Sequence, residues 1–98
     1  MGKLGEDAVG ITKSKEQITS ITKTADYRIP DRITATTLEE VKNVGRLSLT
    51  RQLTDFHLYS QKKGLQMILY TRPTTTFTAP LQQLIDKGDI IVKPIIFK

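Results

Sequence analysis

The run Leu38-Glu39-Glu40-Val41-Lys42-Asn43-Val44 decides how this chain folds, together with Tyr27-Arg28-Ile29-Pro30-Asp31 ahead of it. Both read as strands, the first within an extended segment over residues 25–33, joined by the turn Thr34-Ala35-Thr36-Thr37. Pro30 forbids a continuing helix and biases Ile29 towards an extended backbone, which aims Asp31. Residues two apart in a strand share a face, so Leu38, Glu40 and Lys42 project together while Glu39, Val41 and Asn43 point the other way. If Asp31 closes over the Glu40 face from its own strand, two carboxylates and one ammonium meet. Such a set offers two oxygen ligands to a hard divalent cation, and one positive charge to a phosphate or an attacking water.

The 98 residues, 38% apolar and 26% charged, are enough for one small core, and residues 1–98 are expected to form a single domain. The apolar runs are too short to span a membrane, and Met1-Gly2-Lys3-Leu4-Gly5 does not resemble a signal peptide, so any export signal is expected elsewhere. With no cysteine, disulfides, thiolate zinc sites and cysteine nucleophiles are excluded; with one histidine, so is a His-rich metal site. A net charge of +5 favours nucleic acid as a partner, by raising the local concentration of phosphate. Three Tyr and three Phe show none of the repeated stacking pattern of single-strand binders.

Further along the chain the punctuation changes to that of helices. Residues 3 to about 16 carry a partial apolar stripe and read as a short helix, and 17–22 as a β-rich segment. Ser48 is read as the N-cap of a helix running to about Lys63, with Leu49, Leu53 and Phe56 on its inner face. Gly64 stands where a left-handed C-cap is wanted, behind Lys62 and Lys63. Leu65–Tyr70 reads as a strand, Thr71–Thr78 as a loop, and Pro80 opens a helix whose Leu81, Leu84 and Ile85 face inwards. The final strand, from Asp89, is interrupted by Pro94 and belongs at a sheet edge. Strands joined through helices pair in parallel, so the expected fold is α+β: a central mixed sheet, antiparallel at its start and parallel afterwards, with flanking helices.

On the long helix, Ser48, Gln52, Asp55 and Tyr59 line a stripe beside the apolar face, with Thr50 off it. This stripe either overlooks the Glu40-x-Lys42 strand or is ordinary helix polarity, with Asp55 paired to Arg51. Arg72 is either a bidentate phosphate clamp or a plain surface arginine. His57, opposite the stripe, reads as a partly exposed structural residue. Taken alone, Glu40-x-Lys42 is equally a cross-strand charge pair on a solvated face.

The order of acid, short hairpin and Glu-x-Lys, followed by helix and strand, resembles the signature of the PD-(D/E)XK nuclease superfamily. Tyr27–Asp31, Glu40–Val44, Leu47–Phe56, Leu69–Pro73 and Pro80–Ile85 are also similar to the restriction-endonuclease-fold toxin domains at the C-termini of bacterial polymorphic toxins, including contact-dependent growth inhibition effectors. The similarity covers roughly residues 5 to 97. It implies a nuclease, cutting DNA or tRNA, carried by a larger exported protein into the cytoplasm of a neighbouring bacterium and neutralised at home by an immunity protein. On that pattern Asp31 and Glu40 would bind Mg²⁺ or a similar metal, with Glu6 as a further acid from the first helix and Asp7 or Glu16 as its rivals. Lys42 would orient water or stabilise the phosphorane, with Gln52 as its helper. Arg72, Tyr59 and Ser48 would touch substrate. Two other readings stay open: a non-catalytic nucleic-acid- or protein-binding module on a degenerate nuclease fold, and a metal-independent nuclease relying on Lys42, Arg72 and Tyr59. The need for a target-cell protein factor is open too.

Overall fold

The computed structural model describes residues 16–95. Within them the first two short strands, β1 (Ile18–Thr19) and β2 (Tyr27–Arg28), form an antiparallel pair of their own. The extended segment expected over residues 25–33 is thus broken. Its first part pairs with β1, and its second, β3 (Arg32–Ile33), pairs antiparallel with β4 (Thr37–Lys42). Pro30, which has no N–H to donate to a ladder, lies between them. The β3–β4 turn is closed by the Thr34 N–H donating to the Thr37 carbonyl at 2.8 Å, with the Thr34 hydroxyl accepting from the Thr36 and Thr37 amides.

After β4 come β5 (Arg46–Leu47), α1 (Arg51–Lys63), β6 (Gln66–Thr71), β7 (Thr76–Phe77), α2 (Ala79–Asp86) and β8 (Ile90–Pro94). The main sheet has the order β3-β4-β6-β8, with β4, β6 and β8 parallel to one another. The antiparallel start, parallel continuation and edge position of the Pro94 strand are as the sequence implies. The parallel register aligns Leu38, Met67 and Ile90, then Glu40, Leu69 and Val92, then Lys42, Thr71 and Pro94. Partners in register face the same way, so each row lies on one face. The first row is fully buried beneath Leu53 and Phe56 of α1 and Leu81 of α2, forming the core. On the opposite face Val41 and Ile95 pack with Tyr70.

Helix α1 does not begin at Ser48. Its N-cap is Thr50, whose hydroxyl accepts from the Leu53 N–H at 3.2 Å. Upstream, β5 is recruited into a parallel pair with β7, and the Leu47 carbonyl accepts from the Thr78 N–H, so the chain stays extended past Ser48. Leu49 consequently packs on the core from outside the helix. The same pairing places two residues of the expected 71–78 loop in a strand. The C-terminus follows expectation: Gly64 has φ 70°, a conformation that costs other residues, and Leu65 N–H donates to the Ser60 carbonyl at 2.7 Å. The helix expected over residues 3–16 lies almost wholly outside the described residues.

Candidate active site

Asp31 and Glu40 hold each other in place. The Asp31 backbone N–H donates to Glu40 Oε1 at 3.0 Å, and the Val41 N–H donates to Asp31 Oδ2 at 2.8 Å. Each carboxylate is gripped by the backbone beside the other, and both residues are buried. Lys42, two residues on and hence on the same face, brings its Nζ within 3.3 Å of Glu40 Oε2. From above, α1 contributes Gln52, whose Oε1 accepts from Lys42 Nζ at 2.7 Å. The parity of β4 puts Glu40 and Lys42 beneath the helix. The start of α1 at Arg51 puts Gln52 in its first turn, over the C-terminal end of the strand.

The electrostatics of the pair are unusual. Burial, and after it the nearby Asp31 carboxylate, push Glu40 up to about 8, against the opposing pull of Lys42. The site thus carries more acidic oxygen than its one ammonium neutralises, and a hard divalent cation would relieve that excess. Asp31 and Glu40 are the residues that could hold such an ion. No group of three or more His, Cys, Asp or Glu converges on a common point among the described residues, so those two carboxylates are the acidic donors found together there.

The remaining candidates divide by position. Arg72, at the C-terminal end of β6 and thus at the same end of the sheet as Lys42, donates from Nε to Asn43 Oδ1 at 2.7 Å and is exposed. Tyr59 is two turns beyond Gln52, about 10 Å along the helix axis. It packs on the core beneath Lys63 Nζ, 5.8 Å from its ring centroid, and so is not brought to the carboxylates. Ser48 is exposed and off the helix, so the stripe it was expected to begin starts at Gln52 instead. Glu6 and Asp7 lie outside the described residues; Glu16 is exposed. Glu39 points to the opposite face, as parity requires, where it accepts from Arg32, Thr37 and Tyr70. His57 is half-buried, its Nε2 3.2 Å from Asp89 Oδ2.

The residue whose role the sequence concealed is Asp55. It is fully buried and pairs with Arg28, not Arg51. Its carboxylate accepts from Ser20 Oγ at 2.6 Å, the Thr22 N–H at 2.8 Å and Arg28 Nε at 2.9 Å. Burial pushes its pKa up, but these hydrogen bonds outweigh burial and hold it down at about 2. The β1–β2 hairpin is thereby fastened to α1 only three residues before Asp31. The position of Asp55 between Leu53 and Phe56 hinted at burial; a partner 27 residues away left no local trace.

Neither the curated proteins nor the solved structures compared with the chain gave a match. The family model described as restriction endonuclease fold toxin 7 matches residues 2–81, a span that holds both carboxylates, Lys42 and the whole of α1. The chain therefore belongs to that family, a family of nuclease toxin domains of the PD-(D/E)XK type.

Proposed function

We propose that this domain hydrolyses phosphodiester bonds of DNA or tRNA, in a metal-dependent reaction centred on Asp31, Glu40 and Lys42. The observation that carries the reading is the interlocked pair of buried carboxylates, with Lys42 Nζ 3.3 Å from Glu40 and 2.7 Å from Gln52. Nucleases of this fold generally use divalent metals. Asp31 and Glu40 would hold the ion, which supplies Lewis acidity at the phosphate and a more acidic bound water. Lys42 presents a positive charge where negative charge builds on the phosphoryl oxygens, and Gln52 fixes its direction from the helix. Arg72, tethered by Asn43, would hold a neighbouring phosphate. The net charge of +5 suits the same substrate class.

The biological reading follows the family. The domain would act as a toxin in the cytoplasm of a target bacterium, delivered as the C-terminal part of a larger exported protein. In its own cell a cognate immunity protein would neutralise it; an acidic inhibitor would complement a basic substrate-binding surface.

The decisive assay incubates purified domain with plasmid and with total tRNA, each with Mg²⁺ and with chelator. One substrate should be cut in Mg²⁺ alone. Asp31→Asn, which keeps an acceptor for the Val41 N–H, and Lys42→Ala should each lower the rate about a hundredfold or more while thermal stability stays near wild type. If neither substrate is cut in any condition, and cells making the domain without an immunity partner grow normally, the proposal fails.

A further inference from the structure

Beside Lys42 the fold leaves a cavity of about 150 Å³. The register explains its place. Lys42, Thr71 and Pro94 stand in one row across β4, β6 and β8, on the face that also carries Glu40 and Val92. Thr71, Val92 and Pro94 line the cavity. Its floor is therefore the next strand over from Lys42, about 4.8 Å away between backbones. The second wall is the segment that pairs with β5: Thr75 and Phe77 line the cavity, held there by the Thr76 N–H to the Gly45 carbonyl and Thr75 Oγ1 to the Val44 carbonyl at 2.6 Å. Arg72 stands exposed at the mouth, tied to Asn43.

We propose that this cavity is a nucleobase subsite, receiving the base of a nucleotide next to the phosphate that Lys42 addresses. The proposal rests on the nuclease reading and adds to it where substrate selectivity resides. The volume suits one ring, since a cavity of about 150 Å³ accommodates benzene. The walls suit a base: Phe77, Val92 and Pro94 are apolar, the Thr71 and Thr75 hydroxyls, whose protons go to the Arg72 and Val44 carbonyls, keep lone pairs to accept from a ring edge, and Arg72 brings donors. An unstacked base is held by such a mixture of aromatic contact and edge hydrogen bonds. A base within a paired duplex could not enter, so the subsite selects single-stranded, looped or flipped nucleotides.

The test reads binding without turnover. Isotope-labelled domain is titrated in chelator with cytidine and uridine 5′-monophosphates, and with ribose 5-phosphate as the sugar-phosphate control, following the methyl signals of Thr71, Thr75 and Val92. The nucleotides should shift these methyls, and ribose 5-phosphate should not. Phe77→Leu keeps an apolar group for the core beneath it and should weaken nucleotide binding about fivefold or more. Pro94→Trp, at an exposed position on the mouth, should do the same. Equal shifts with nucleotide and sugar phosphate, or unchanged binding in both variants, would overturn the subsite. Nucleotide binding at these methyls by a domain that cuts nothing supports the subsite and refutes the nuclease. Cleavage with silent methyls refutes the subsite alone.

Discussion

Glu40 is the residue whose surroundings say most. In the folded, metal-free domain it keeps its proton up to about pH 8, against an ordinary value of 4.5. Between those limits the unfolded chain binds fewer protons than the folded one, so stability falls as pH rises through the window. Thermal melts in chelator should show a lower midpoint at pH 8 than at pH 5. Glu40→Gln, which stays neutral throughout, should flatten that slope, and Mg²⁺ added at pH 8 should raise the wild-type midpoint. A wild-type midpoint that climbs from pH 5 to pH 8 would contradict the burial of Glu40 and its crowding by Asp31. That Glu40 and Lys42 share a face was legible from the strand period alone. That Glu40 is buried was not, because its burial comes from α1 closing over it.

At the scale of elements, local chemistry was readable and competition between elements was not. Gly64 and Pro80 mark their helix ends because φ and N–H requirements are local. Ser48 and Thr50 are both competent caps by composition, and the pairing of β5 with β7 decides between them. The two positions make a matched test: Thr50→Ala should cost about 1 kcal/mol of stability, whereas Ser48→Ala should cost nearly nothing. Chemical denaturation of the two variants distinguishes them, and equal losses would mean that the helix starts earlier than the structure shows. The β5–β7 pair itself, two residues on each side, is too short to have a recognisable pattern.

For the whole molecule, the arrangement follows a general rule of parallel sheets, whose strands present their C-terminal ends to ligands. Lys42, Thr71 and Pro94 end their strands side by side, and the carboxylates, Gln52, Arg72 and the cavity gather at that end. The order of strands and helices announced this mixed sheet. The tethering of the N-terminal hairpin went unseen because it depends on a contact between segments far apart in the chain. That tether carries a further consequence. Asp55 clamps residues 18–28 to the helix that carries Gln52, and Asp31 follows three residues on, so docking of the hairpin is expected to couple to binding of the proposed cation at Asp31 and Glu40. Reciprocity then requires that a cation at Asp31 and Glu40 tighten the hairpin by the same factor by which loosening the hairpin weakens the cation. Hydrogen exchange should accordingly slow across residues 18–28 when Mg²⁺ is added. Asp55→Asn should speed that exchange, and should lower Mg²⁺ affinity to the extent that the undocked hairpin becomes populated, although residue 55 touches neither carboxylate.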